Sequence, residues 1–135
     1  MTAAVDTKMK RRAIVVDDSR AMRAILRRAL EEQGFQVFDA GHGKEALERL
    51  ARIRVPDLAL IDWNMPEMNG IELIAELRRD HAYDAMRLVM VTSETEPAQI
   101  ERALAEGANA YIMKPFSSDV LQEKLIRLGF VGGVS

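Results

Sequence analysis

The apolar positions of the chain follow two alternating rhythms. Continuous apolar runs occupy 13–16, 58–61, 88–91 and 110–113, each closed by polar residues. A short run of this kind, rich in Val, Ile and Leu, reads as a strand buried on both faces. The segment 35–40 alternates more and adds a further strand. Between these runs the apolar spacing changes to the helical period. Met22, Ile25, Leu26, Ala29 and Leu30 form one stripe, stopped by Gly34, with Ser19 placed to cap its start. Ala46, Leu47 and Leu50 form a shorter one that ends near 52–56. Ile71, Ile74 and Leu77 lead a third to Arg79, after which 80–85 reads as a connection. Pro97 opens a fourth through Ile100, Ala103 and Leu104 to Gly107. Val120, Leu121, Leu125 and Leu128 mark the last. The helix after Pro97 is alanine-rich and weakly amphipathic, and is expected to be the most mobile.

Strand and helix thus alternate five times along the chain. That pattern predicts an α/β fold: a doubly wound parallel sheet with right-handed crossovers and helices on both faces. Periodicity does not order the strands. It does place their polar ends, because in a parallel sheet every C-terminal strand end lies on one edge, where ligands bind.

Those ends carry the candidate chemistry. They are Asp17-Asp18, Asp62, Thr92-Ser93 and Lys114-Pro115. Asp62 closes the apolar run 58–61, and an ionised carboxylate there is costly unless something binds it. Taken singly, each end is a turn or a helix cap. Taken together, three carboxylates, a hydroxyl and an ammonium converge. Carboxylates so close raise one another's pKa unless a cation intervenes. Mg²⁺ suits the set, being hard, oxygen-seeking and commonly held by one or two carboxylates with water and phosphate. A lysine and a hydroxyl beside it suit phosphate oxygens. The set therefore describes phosphoryl transfer to a carboxylate, with Asp62 as a nucleophile that forms an acyl phosphate.

Composition narrows the class. The 135 residues are 48% hydrophobic and 30% charged, which fits one soluble domain with one core. A net charge of -2 gives no general attraction to nucleic acid or acidic membranes, so neither is an expected partner. There is no cysteine, hence no disulfide framework or thiolate metal site. His42 and His81 have no context joining them, which argues against a histidine metal site. No run is long enough for a bilayer, and the N-terminus lacks a signal-peptide core, so a cytoplasmic protein is expected. Residues 1–11, with Lys8, Lys10 and Arg11 near their end, read as a flexible solvated tail, 12–129 as the domain and 130–135 as a second tail.

The chain resembles the receiver domain of two-component response regulators, and most closely the single-domain CheY-like proteins of chemotaxis. The resemblance rests on Val15-Val16-Asp17-Asp18, on Asp62-Trp63-Asn64-Met65-Pro66 with Asn69-Gly70, on Val91-Thr92, and on Tyr111-Ile112-Met113-Lys114-Pro115-Phe116. It implies a five-stranded flavodoxin-like sheet of order 2-1-3-4-5, of which CheY is itself a standing example. It implies that Asp62 is phosphorylated. Mg²⁺ would be held directly by Asp18, Asp62 and the backbone carbonyl of Asn64, with Asp17 acting through water. Lys114 would contact the phosphoryl group and pair with Asp62 when that is empty. Thr92 would hydrogen-bond the phosphoryl oxygen and shift, and Tyr111 would turn inward in response. Asn64 and Glu94 occupy positions that tune phosphoryl lifetime. Pro115 would follow a cis bond, and Trp63 would stand exposed beside the site.

The implied protein is not an enzyme in the ordinary sense, although it assists its own phosphorylation and dephosphorylation. Its donor would be a sensor histidine kinase or a histidine phosphotransfer protein. Its output would be protein binding through the fourth helix, fifth strand and fifth helix, with a flagellar motor switch as the suggested target. The competing reading within the family is a relay intermediate that passes its phosphoryl group to a histidine phosphotransfer protein. A flavodoxin would need a loop able to hold FMN phosphate where Asp17-Asp18 stand. A phosphatase with an aspartyl-phosphate intermediate would commonly carry an acid where Asn64 stands. Both rank low.

Overall fold

The computed structural model describes residues 10–93 and 96–130. Its elements in order are β1 (Arg12–Val16), α1 (Arg20–Glu32), β2 (Gln36–Ala40), α2 (Gly43–Leu50), β3 (Leu58–Asp62), α3 (Gly70–Arg78), a 3-10 turn (His81–Tyr83), β4 (Arg87–Thr92), α4 (Pro97–Glu106), β5 (Ala110–Met113) and α5 (Ser118–Arg127). All strand pairs are parallel, and the order across the sheet is β2-β1-β3-β4-β5. This is the doubly wound order that the resemblance implies. The connection at 80–85 contains the 3-10 turn, which periodicity did not show.

The period of two within each strand divides the core into two layers. Ile14, Val16, Ala59, Ile61, Leu88 and Met90 face α2, α3 and α4, where Ala46, Ile74, Leu77 and Ala103 meet them. Ala13, Val15, Leu58, Leu60, Val89 and Val91 face α1 and α5, where Leu26, Leu30, Leu121 and Leu125 close the other layer. Fully burying one such Leu or Ile side chain contributes about 1.5–3 kcal/mol, so the central strands anchor the sheet edge on which the polar ends sit.

Helix ends are set by local chemistry. Ser19 Oγ accepts the Met22 N–H at 3.1 Å, the cap expected of it. Asn69 and Glu72 form a reciprocal capping box at 2.9 Å in each direction. Gly34 stops the segment after α1 with φ +94°, a conformation that glycine adopts without the steric cost of a β-carbon. α4 has Pro97 in its first turn, no side-chain cap bond, and Ala103 as its one fully buried residue. Its C-terminal end is tied down instead. Arg78 donates to the carbonyls of Gly107 (3.0 Å), Tyr83 (2.8 Å) and Met86 (2.9 Å) and to Asn109 Oδ1 (2.9 Å).

Arg11 and Phe130, which the sequence reading puts in the tails, meet at the N-terminal end of the strands. The guanidinium lies 5.3 Å from the Phe130 ring centroid, and that ring packs edge-on against Phe35. No helix among the described residues is long and apolar enough to cross a membrane.

Candidate functional site

The strand order makes β1 and β3 neighbours, with the chain winding away from them in opposite directions. The crevice above their C-terminal ends is the topological switch point, where ligands bind in open α/β sheets. Asp17 follows β1 and Asp62 is the last residue of β3. One carboxylate oxygen from each of Asp17, Asp18 and Asp62 can be taken such that all lie within 4.8 Å of one another.

The three acids are held differently. Asp17 is buried, and both its oxygens are engaged: Oδ1 accepts the Ser19 N–H at 2.8 Å and Oδ2 lies 3.5 Å from Lys114 Nζ. Asp62 is buried, and its Oδ1 accepts a hydrogen bond from Lys114 Nζ at 2.9 Å. Asp18 is exposed and makes no hydrogen bond to another described residue, so its oxygens face the crevice unclaimed. Lys114 is brought in from β5 by its backbone, whose N–H donates to the Thr92 carbonyl at 2.8 Å. Thr92 itself is buried at the end of β4. The Lys114–Pro115 peptide is cis, as expected from the resemblance.

Burial pushes the Asp62 carboxyl above its ordinary value of 3.8. The Lys114 hydrogen bond pulls it down, but Asp17 and Asp18 push it up again, and the net shift is upward. Burial alone would lower the Lys114 ammonium, yet the hydrogen bond and charge of Asp62, with those of Asp17, outweigh it and raise the lysine above 10.5. Both groups hold their protons more tightly than in water. One ammonium among three carboxylates leaves the crevice short of positive charge.

A hard cation answers that shortage, and the donors present are oxygens only. The residues therefore fit Mg²⁺, and the cluster is the kind of acidic pocket in which receiver domains bind it. Asn64 joins Asp18, Trp63, Met65, Pro66 and Asn69 in lining a cleft of about 310 Å³ beside the acids. The floor of this loop is a close backbone contact. The Gly70 N–H donates to the Trp63 carbonyl at 2.9 Å, and a β-carbon at residue 70 would stand 2.5 Å from the Asp62 carbonyl oxygen.

Two residues differ from expectation or add to it. Trp63 is half-buried and packs on the α2–α4 side of the core, because it leaves β3 on that face; the exposed ring implied by the resemblance is not found. Tyr111 is half-buried on the same side, with Lys124 Nζ 4.9 Å from its ring centroid. Glu94 lies outside the described residues. Sequence reasoning assigned Ser19 to a cap and Gly70 to a turn. It missed that the Ser19 amide orients Asp17 and that Gly70 lets α3 approach the Asp62 backbone. A glycine directly after a capping Asn was the available signal for the second; nothing signalled the first.

A parallel sheet of this order, with acids at β1 and β3, a hydroxyl at β4 and a lysine at β5, defines a receiver domain. The family model described as the response regulator receiver domain matches residues 13–126, and the chain belongs to that family. It is CheY-like. It is 42% identical over 113 residues to the chemotaxis protein CheY1 of Helicobacter pylori strain J99, covering 83% of this chain and 91% of that protein. It is 44% identical over 113 residues to a chemotaxis protein CheY homolog of Campylobacter jejuni strain 81-176, covering 83% and 87%. The solved structure of the chemotaxis response regulator CheY4 of Vibrio cholerae superposes with a TM-score of 0.82 at 32% identity, covering 89% of this chain and 99% of that one.

Proposed function

We propose that this chain is a cytoplasmic response regulator whose receiver unit, residues 12–129, is switched by phosphorylation of Asp62. The observation that supports this most is the Asp62 carboxylate, buried at the end of β3, 2.9 Å from Lys114 Nζ and clustered with Asp17 and Asp18. An Asp62 oxygen attacks the phosphorus of a phosphohistidine on a sensor kinase or phosphotransfer protein. The new O–P bond forms as the P–N bond to the imidazole breaks, and the imidazole leaves. Lys114 turns from Asp62 to the incoming phosphoryl oxygens as their counter-charge, and the Thr92 hydroxyl donates to one of them. Asp18, Asp62 and the Asn64 carbonyl would hold the metal, with Asp17 assisting through water. The chemistry a bound Mg²⁺ would supply there is neutralisation of charge on the transferring group. Hydrolysis of the acyl phosphate, tuned by Asn64 and Glu94, resets the domain.

The output is binding of a protein partner through the face made by α4, β5 and α5. The named relatives are chemotaxis proteins, and this favours a chemotaxis role with a flagellar motor switch as target. The test is chemical. With Mg²⁺ and acetyl phosphate, the wild type should acquire one phosphoryl group that hydroxylamine removes. Asp62→Asn, shown to be folded by circular dichroism, should remain unlabelled. Full labelling of that variant would remove Asp62 as the acceptor.

A further inference from the structure

Among the described residues no side chain or backbone group bonds the Asp18 carboxylate, so its place in the acidic cluster follows from its backbone. That backbone is clamped on both sides. The Asp17 N–H donates to the Ala40 carbonyl at 3.1 Å, and the Ser19 N–H donates to Asp17 Oδ1 at 2.8 Å. A further polar group of the stretch, the Asp17 carbonyl, belongs to the peptide plane that joins Asp17 to Asp18. It accepts a hydrogen bond from Arg23 NH1 at 2.7 Å. Arg23 reaches this carbonyl from the first turns of α1. Its Nε lies 3.7 Å from Asp39 Oδ2 on β2, and its guanidinium packs under Gly41, where a β-carbon would stand 3.2 Å from NH1. The half-buried guanidinium therefore spans β2 and the β1–α1 loop as a rigid planar fork.

We propose that Arg23 is a positioning residue for the metal site: it holds the Asp17–Asp18 peptide in the orientation that presents the Asp18 carboxylate to Mg²⁺. This rests on the Mg²⁺ reading of the acidic cluster. Partners that orient metal ligands commonly matter by 10–100-fold in affinity. The idea carries a sign that separates it from plain electrostatics. The guanidinium is itself a cation bonded to the Asp17 carbonyl, so loss of its charge alone would leave Mg²⁺ binding unchanged or tighter. Loss of the brace weakens it.

The experiment is Mg²⁺ titration of the full chain, followed by Trp63 emission and by calorimetry, on four proteins whose fold is checked by circular dichroism. Arg23→Met and Arg23→Lys should each weaken Mg²⁺ binding on the order of tenfold, because lysine keeps the charge but not the fork. Arg27→Met is the control: Arg27 donates to the Val37 carbonyl and pairs with the same Asp39 but does not touch the Asp17–Asp18 loop, and its loss should leave affinity unchanged or slightly tighter. Tighter or unchanged binding in either Arg23 variant, or equal weakening in Arg27→Met, overturns the proposal. If the Arg23 variants do not fold, Gly41→Ala decides, since it crowds the guanidinium without altering charge: weakened binding supports the brace and unchanged binding overturns it. A flat wild-type titration would instead remove the metal site itself and the functional reading with it.

Discussion

Lys114 Nζ lies 2.9 Å from Asp62 Oδ1, yet it does not bring the Asp62 carboxyl down to its ordinary range. Burial of Asp62 outweighs the lysine's hydrogen bond, and the charges of Asp17 and Asp18 add to the upward push. A carboxylate beside an ammonium would normally be pulled the other way. The crevice is thus built with a charge deficit, which makes it a receptive place for a divalent cation.

The deficit has a pH signature. The Asp62 pKa is higher folded than its unfolded value of 3.8, so between the two values the folded state binds more protons. Metal-free stability from this group is therefore full below about 3.8 and is lost as pH rises through the raised folded value. Asp62→Asn removes that loss. At pH 7 without metal it should melt at the same temperature as the wild type or higher, with a gain of up to about 2 kcal/mol, as is common when a strained site is relieved. Thermal melts from pH 4 to 8 check this. A variant markedly less stable than the wild type at pH 7 would show that the Lys114 bond, not burial, dominates.

Asp18 is exposed and makes no hydrogen bond among the described residues, so its role should be separable from folding. Asp18→Ala should change stability by no more than about 0.5 kcal/mol. It should also lose most of the Mg²⁺ response of Trp63, which lines the same cleft as Asp18. Chemical denaturation and fluorescence titration read the two effects independently.

Gly70 is required by contact, not by conformation, because its φ is not positive. A β-carbon there would meet the Asp62 carbonyl oxygen at 2.5 Å and Met90 Sδ at 3.0 Å. The sulfur can move, but the backbone oxygen cannot without shifting the end of β3. Gly70→Ala should cost about 1–3 kcal/mol by overpacking, measured by urea denaturation, and should slow phosphorylation of Asp62 in the fraction that folds.

Thr92 and Tyr111 test transmission. Thr92→Ala should still accept phosphate at Asp62, since the nucleophile and Lys114 remain, but should lose most of the gain in partner affinity. Phosphorylation can bias the α4 region only by stabilising one of two states more than the other. NMR spectra of the wild type with Mg²⁺, with and without beryllofluoride, should show large shifts through α4 and near Tyr111. Shifts confined to residues around Asp17, Asp18 and Asp62 would mean no transmitted switch, and would favour the relay-intermediate role.

The apolar rhythm of the chain was sufficient for the five strands, the five helices and the polar residues that end each strand. Those features depend on neighbours close in sequence: a run of Leu58-Ala59-Leu60-Ile61 is a buried strand wherever it lies, and Asp62 is its end. The quoted motifs then pointed to the family, and with it the strand order that periodicity could not supply. What only the tertiary structure decided are relationships between distant elements. That Trp63 is half-buried depends on which side of the sheet α2, α3 and α4 cover. That Gly70 must lack a side chain depends on how closely α3 approaches the last residue of β3. Arg23 and Arg78 each donate to backbone carbonyls, and such bonds leave no trace in composition or period, because every residue offers the same carbonyl. Only the folded chain determines which carbonyl stands within 3 Å of a guanidinium, and so only the fold distinguishes Arg23, bonded to the Asp17 carbonyl beside the acidic cluster, from the other arginines along α1.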